Sequence, residues 1–152
     1  MLRSDIIARM VGAIALALIV GALGIQYLGH IQPCKMCHWQ RWALIAAAVT
    51  GLIGIPLWKK GAHSLAMTAI LFVTISGLIA AYQTGMQFGI LPDLKVCAIE
   101  RLFVFFGPLI TANCMAIDWT MFGLTLAAYN AIISLSVAAI GAVLLKKNCG
   151  SD

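Results

Sequence analysis

Long apolar segments separated by short polar stretches dominate the chain. Four of them, at about residues 10–28, 42–58, 65–82 and 121–145, approach the roughly 20 residues that a helix needs to cross about 30 Å of hydrocarbon. The first and the last contain no charged residue, and the second is slightly short. The pattern predicts an all-α membrane protein, a bundle of four transmembrane helices in a single domain over residues 1–152.

Composition supports the membrane interpretation. Of the 152 residues, 62% are hydrophobic and only 10% are charged. A soluble domain is about one quarter charged, so an ordinary soluble fold is excluded. The formal net charge is +5, but the basic residues are scattered beside apolar segments, where they indicate topology rather than nucleic-acid binding. The first apolar segment is too long for a typical signal peptide, and no obvious A-x-A cleavage site follows it before the cysteines, so we expect it to remain as a span.

Basic residues near the segment ends predict the orientation, because cytoplasmic loops carry an excess of Lys and Arg. Six lie on the side of the two termini and the loop at 58–64, and four lie on the side of the loops at about 29–41 and 83–119. Both termini are therefore expected in the cytoplasm. In a bacterial inner membrane, the other two loops then face the oxidising periplasm. The two sets are Arg3, Arg9, Lys59, Lys60, Lys146 and Lys147, and Lys35, Arg41, Lys95 and Arg101.

The second outward loop is the only long connection between segments. Residues 98–110, AIERLFVFFGPLI, are rich in Phe and Leu around one polar pair. This composition predicts a short helix lying in the membrane interface. The alternative is an apolar loop that packs on the bundle.

A C-x-x-C pair, Cys34 and Cys37, lies in the first outward loop, at the start of the second span. This spacing allows a strained, reactive disulfide, and the dipole at a helix start favours the thiolate that thiol–disulfide exchange requires. Two alternatives are open: a purely structural disulfide, and a zinc or copper site that recruits Met36 and His38. The oxidising outward location disfavours the metal.

The second outward loop holds another pair, Cys97 and Cys114. Alone, this pair could be a structural staple, as in a membrane subunit whose disulfides only stabilise loops, or could complete a zinc site. On the same membrane face as the C-x-x-C pair, it could exchange electrons with that pair. Cys149 follows Lys146 and Lys147 on the cytoplasmic side, where we expect it to stay reduced and take no part.

Arg41 follows Cys37 by four residues, which on a helix is one turn further along the same face. There its guanidinium could stabilise a thiolate and donate a hydrogen bond to a carbonyl oxygen. The alternative is an interfacial anchor whose side chain reaches water.

Taken together, these residues resemble the DsbB-type bacterial disulfide-bond formation proteins over nearly the whole chain. The family plan is four spans, a C-x-x-C in the first periplasmic loop and two further cysteines in the second. Its P-C-x-x-C-x-x-x-R motif stands here as PCKMCHWQR, residues 33–41, and residues 113–131 resemble its run into the fourth span. The joint pattern is specific, although no single part is.

The resemblance implies a role for each cysteine of the outward loops. A periplasmic thioredoxin-fold oxidase of the DsbA type would attack Cys97, and Cys114 would pass the electrons to Cys34. Cys37, aided by Arg41, would hand them to a membrane quinone, either ubiquinone or menaquinone.

The resemblance also implies that Gln87 lies near the quinone ring. Two features depart from the family pattern. Gln83 stands where some relatives have a histidine, and the interval between Cys97 and Cys114 is shorter than in enterobacterial members. The shorter loop bears on partner specificity more than on chemistry.

Overall fold

Four helical segments carry the fold of the chain. The computed structural model describes residues 4–30, 33–54, 57, 61–92, 94, 101–104, 107–110, 114–115, 117 and 120–149, with the backbone alone for 101–110 and for residue 149. The helices are α1 (Ser4–Leu28), α2 (Lys35–Ala48), α3 (Ala62–Gln87) and α4 (Leu126–Cys149), and α2 continues as a π-helical segment, Val49–Gly54. Two short hairpins follow α3: β1 (Arg101–Val104) with β2 (Gly107–Ile110), and β3 (Thr120–Met121) with β4 (Leu124–Thr125).

Three of the described helices, α1, α3 and α4, are long and apolar enough to cross a membrane. The chain is therefore a multi-pass membrane protein with a mostly helical fold. The second segment, α2 with its π-helical continuation, packs against α1 and α3 but does not meet the same length and composition criterion. The fourth crossing thus stays a prediction.

Alanine makes up about half of the buried core of the bundle. Its buried core includes Ala8, Ala47, Ala66 and Ala69, which are completely hidden and come from three different helices. Larger apolar side chains such as Leu44, Val73 and Leu145 are also buried, while many others face outward, as lipid contact allows. Where lipid is as apolar as the protein interior, helices associate through close backbone approach, which alanine permits. The outward set includes Leu16, Val20, Leu71, Leu78, Ile140 and Val143.

The π-helical segment is the point of closest approach to α1. A Cβ added to Gly51 would lie 2.9 Å from the Cα of Gly12 and would also press on the carbonyl oxygen of Ala8. In the same segment, the Thr50 hydroxyl donates to the carbonyls of Ala46 and Ala47, at 2.8 and 3.1 Å. Such side-chain bonds compete with the helical ladder, and π-type turns arise where that ladder is locally rearranged.

The prediction of an interfacial helix at 98–110 is wrong for the residues that the structure describes in this range. Arg101–Val104 pairs with Gly107–Ile110 in an antiparallel hairpin. Leu, Phe and Val in succession favour an extended strand, and Gly107 followed by Pro108 interrupts a helix. Strand propensity and the helix-breaking Gly107–Pro108 pair therefore outweigh the apolar composition that predicted an interfacial helix.

The last helix begins later than the apolar segment at 121–145 predicts. Phe122 and Gly123 have positive φ angles of 52° and 78°, as the two central residues of a type I′ hairpin turn require. Thr125 then caps α4, since its hydroxyl accepts from the backbone N–H of Ala128 at 3.3 Å. Hydrophobicity alone does not reveal this hairpin.

Candidate active site

The C-x-x-C cysteines meet at the start of α2. Cys34 is the N-cap residue, and its Sγ accepts from the backbone N–H of Cys37 at 3.3 Å. The two Sγ atoms lie 2.8 Å apart, and both cysteines are free thiols. A helix N-terminus presents unpaired N–H groups and a positive dipole, both of which favour a thiolate. The predicted pair is thus placed for reversible disulfide chemistry.

Cys114 joins this pair from the segment between α3 and α4. It is only 1% exposed and packs in one buried cluster with Cys34, Met36 and Met86. Its thiol also forms a hydrogen bond with Cys34. The structure therefore brings three of the four predicted redox cysteines together, with Cys34 between the other two.

Hydrogen bonding among the thiols decides which sulfur carries negative charge. Contacts with Cys114 and Cys37, reinforced by burial, raise the pKa of Cys34 far above its usual range. Conversely, the hydrogen bond from Cys34 lowers the pKa of Cys37 to about 7, although burial opposes the shift. Both residues precede the apolar segment that begins near residue 42. The anionic sulfur of the cluster is therefore that of Cys37.

Gln83, near the end of α3, lies against the same sulfurs. Its Nε2 is 3.4 Å from Cys34 Sγ and 3.7 Å from Cys37 Sγ, and the residue is 3% exposed. Its Oε1 accepts from Gln40 Nε2 at 2.8 Å, and Gln40 Oε1 accepts from Asn130 Nδ2 at 2.8 Å. Asn130 also donates to Ser76 at 3.3 Å and accepts from Ser134 at 2.9 Å. A polar chain thus connects the cysteines with α2, α3 and α4.

This polar chain was not predicted from the sequence, although a signal was available. Polar side chains inside apolar spans are uncommon, and they usually face the bundle interior and mark function. Ser76, Asn130 and Ser134 all interrupt predicted spans. Which of them would meet could not be known before the helix packing was known.

Arg41 lies one turn beyond Cys37 on α2, as the spacing predicts, and its Nη1 donates to Oε1 of Gln26 on α1. The guanidinium has five N–H donors, and this bond uses one. Arg41 is half-buried, whereas the adjacent Trp42 is 69% exposed. The arginine is therefore oriented by α1 at the outer surface of the bundle.

Gln87 lies one turn beyond Gln83 and contacts the second-loop cysteine. Its Nε2 donates to the backbone carbonyl of Cys114 at 3.4 Å. Its Oε1 is buried and has no hydrogen-bond partner among the described residues. Gln87 thus helps to hold Cys114 beside the C-x-x-C pair, and its contact with a quinone remains a prediction.

The remaining predicted residues lie away from this cluster or outside the description. Cys97 lies outside the described residues. Cys149 ends α4, about 36 Å along a 24-residue helix from the end nearest the site. In the described part of the chain, no group of three or more His, Cys, Asp or Glu side chains is arranged to hold a metal ion.

Known proteins resemble this chain over most of its length. A family model described as "Disulfide bond formation protein DsbB" matches residues 4–144. Curated relatives named "Disulfide bond formation protein B" include one from Polaromonas sp., 28% identical over 93% of this chain and 90% of that protein. Others are from Dechloromonas aromatica, 33% identical, and Azoarcus sp., 32% identical, each over 85% of this chain and 84% of the relative. No solved structure matches with significance.

The match covers most of the chain and confirms the resemblance seen in the cysteine motif. Relatives more than 30% identical extend over most of both sequences. Membership implies disulfide oxidoreductase activity in a membrane protein, which the thiol cluster is built to support. The chain belongs to the DsbB family of disulfide bond formation proteins.

Proposed function

We propose that this protein reoxidises a periplasmic thioredoxin-fold dithiol oxidase of the DsbA type and passes the electrons to a membrane quinone. One observation carries the proposal: the thiol of Cys114 contacts Cys34, which in turn contacts Cys37. A loop cysteine and a C-x-x-C pair in contact can exchange a disulfide without a large rearrangement. A pair that only stapled a loop would have no need of this contact.

The proposed transfer proceeds by three balanced exchanges. The partner dithiol attacks a Cys97–Cys114 disulfide at Cys97, and the partner leaves as a disulfide after giving up two electrons and two protons. The thiolate of Cys114 then attacks Cys34 of a Cys34–Cys37 disulfide and releases Cys37 as a thiolate. Attack of Cys97 on Cys114 restores the loop disulfide and leaves Cys34 and Cys37 reduced.

The residues around Cys37 fit a quinone. The half-buried Cys37 and Arg41 lie on one face of α2, and the exposed Trp42 follows on the same helix. A quinone, when bound, supplies an acceptor of two electrons and two protons that is confined to the bilayer. Arg41 would donate hydrogen bonds to its oxygen, in a fixed position where negative charge develops. Cys37 would hold the reacting thiolate.

The same proposal assigns the membrane and the orientation. We place the protein in the bacterial inner membrane, with both termini in the cytoplasm and the loop cysteines in the periplasm. The basic residues support this orientation, and so does the chemistry, because disulfides persist in the periplasm and are reduced in the cytoplasm. The cysteine cluster lies where the C-terminal ends of α1 and α3 meet the N-terminal ends of α2 and α4.

The proposal is tested with the purified protein in detergent, a reduced thioredoxin-fold dithiol protein and a short-chain ubiquinone. We expect the quinone absorbance to fall as the dithiol is oxidised, at one quinone per disulfide formed. A Cys114→Ser variant should abolish this coupled reaction. Dithiol oxidation that continues without quinone consumption, or full activity of Cys114→Ser, would contradict the proposed electron path.

A further inference from the structure

The polar chain behind the cysteines has a direction. At each link between Ser134 and Gln83, the donor lies on the side away from the sulfurs and the acceptor on the side towards them, while the Cys37 thiol, when protonated, also donates to Gln83 Oε1 at 3.8 Å. Ser134 donates to Asn130, Asn130 donates to Gln40, and Gln40 donates to Gln83. Gln83 then directs its own Nε2 at the sulfurs of Cys34 and Cys37.

We propose that this directed chain fixes Gln83 as a hydrogen-bond donor to the Cys34–Cys37 pair and so stabilises the pair in its reduced, anionic form. Asn130, which does not touch the sulfurs, is the positioning residue of the chain. The inference rests on the proposed function only in assigning this stabilisation to electron transfer.

The orientation of each amide follows from its neighbour. An amide group has an acceptor end and a donor end, and rotating one amide alone would place two donors or two acceptors against each other. Asn130 Oδ1 accepts from the Ser134 hydroxyl, and its Nδ2 faces Gln40. Gln40 must then present its Nε2 to Gln83, which leaves the Nε2 of Gln83 for the sulfurs.

Burial makes this arrangement effective. Gln40 and Gln83 are 5% and 3% exposed, and Ser76 and Ser134 are completely hidden. In such a low-dielectric interior, hydrogen bonds are electrostatically stronger, and successive bonds polarise one another. The three amides all turn their positive ends towards the cysteines. Fixed dipoles of this kind stabilise a developing charge without having to reorganise.

A role in packing alone does not require this direction. The same residues could hold three helices together with their amides oriented either way. The direction matters only to a group at the end of the chain, and the group found there is a pair of thiols, one of which has its pKa lowered in part by Gln83. The geometry therefore predicts an effect on the redox equilibrium of the cysteines.

The equilibrium between the Cys34–Cys37 disulfide and its dithiol tests the inference directly. The full-length chain with Cys97→Ser, Cys114→Ser and Cys149→Ser is equilibrated with mixtures of reduced and oxidised glutathione. Each Cys34–Cys37 disulfide that is reduced oxidises two glutathione molecules to one glutathione disulfide. Asn130→Leu should shift the equilibrium about tenfold towards the disulfide, equal to about 30 mV for this couple. Gln83→Leu should shift it in the same direction.

A double-mutant cycle separates positioning from packing. If Asn130 acts through Gln83, Asn130→Leu should cause less than a twofold further shift in a Gln83→Leu background. Thr84→Val is the matched control, because Thr84 is next to Gln83 on α3 but, among the described residues, its hydroxyl bonds only the carbonyl of Ala80. This control should leave the equilibrium unchanged.

A second variant guards against misfolding of Asn130→Leu. Ser134→Ala removes only the far donor of the chain and should cause a smaller shift in the same direction. The inference is overturned if Asn130→Leu and Ser134→Ala both leave the equilibrium unchanged. It is also overturned if Asn130→Leu shifts the equilibrium equally in proteins that carry Gln83 and in the Gln83→Leu background. No quinone or partner enters this measurement, so a failure of the proposed function would be seen separately, as lost quinone reduction by the unmodified chain.

Discussion

Two opposing effects act on the sulfur of Cys37. Hydrogen bonds from Cys34 and from Gln83 stabilise its thiolate, whereas burial disfavours the charge. The hydrogen bonds prevail, and the pKa of Cys37 falls to about 7. Because Cys34 keeps its proton under the same conditions, a reduced pair near neutral pH carries its charge on Cys37, one helical turn before Arg41.

We therefore predict that alkylation of Cys37 in the reduced protein will be half-maximal near pH 7. The lowered pKa means that the thiolate is present above this pH and is lost as the pH falls through it. Mass spectrometry of the Cys37 peptide after brief iodoacetamide treatment gives the profile. In a Cys34→Ala variant, the midpoint should move up towards the ordinary value of about 8.5. An unchanged midpoint would mean that Cys34 is not the source of the shift.

Arg41 should control the reaction with quinone rather than exchange among the cysteines. Loss of one fixed donor to a developing negative charge lowers rates by about a hundredfold or more, so Arg41→Ala should reduce quinone slowly. Lysine keeps the charge but not the planar guanidinium, so Arg41→Lys should recover only part of the rate. Steady-state rates over a range of quinone concentrations provide the measurement.

Gln26→Leu is the companion variant, because it keeps the guanidinium but removes its partner on α1. We expect it to have a smaller effect than Arg41→Ala. Thiol exchange in both variants, followed by trapping of free thiols, should proceed at the normal rate. A wild-type quinone rate in Arg41→Ala at every concentration would remove Arg41 from the site.

Local sequence was sufficient to find the residues whose chemistry depends on short spacing. Cys34, Cys37 and Arg41 lie within two helical turns, so their proximity follows from helix geometry. Gln26 and Gln83 could not be assigned in this way, because their contacts cross between helices and depend on which faces pack together.

At the scale of elements, α1 and the π-helical segment approach each other backbone to backbone at Gly12 and Gly51. Gly51→Ala should lower the free energy of unfolding by about 1–3 kcal/mol, because the added methyl group would meet the backbone of Gly12 and Ala8, which cannot rotate away. Chemical denaturation in detergent, followed by circular dichroism, measures the change.

Gly21→Ala is the control, since a Cβ at Gly21 on α1 meets nothing within 4 Å. Helix propensity alone then acts, and stability should be unchanged or rise by up to about 1 kcal/mol. Equal losses in the two variants would show that the close approach at Gly51 is not the cause.

The sequence predicts best the helices whose positions follow from the length of an apolar segment. Helices α1, α3 and α4 cover most of three predicted spans, because a long uncharged apolar run has few other stable states in lipid. The predictions fail at 101–110 and at 120–125, where short hairpins form. These hairpins depend on individual turn residues such as Phe122 and Gly123, which a hydropathy pattern does not distinguish from a helix.

Across the whole molecule, the cysteines of the site and Cys149 should lie on opposite sides of the membrane. Helix α4 separates its first turn, near the site, from Cys149 at its last residue. An impermeant maleimide should therefore label Cys149 only after the cytoplasmic side is opened, and Cys149→Ser should keep full turnover. Labelling of Cys149 from outside intact cells would reverse the proposed topology.

The position of Cys114 is a property of the whole molecule and could not be derived from local sequence. It lies 77 residues after Cys37 along the chain. Its position beside Cys34 is supported by the bond from Gln87 on α3 to its backbone carbonyl. The family resemblance predicted that the two cysteines react together, but only the fold brings them into contact.

The buried amides also determine the register in which the helices assemble. Faces lined with alanine would pack nearly as well after one helix slid along another by a turn, about 5.4 Å. Such a slide would separate Asn130 from Gln40 and Ser76 and leave polar groups against hydrocarbon, at several kcal/mol for each unsatisfied group. The bundle therefore has one low-energy alignment of α2, α3 and α4, and in that alignment Gln83 reaches the sulfurs.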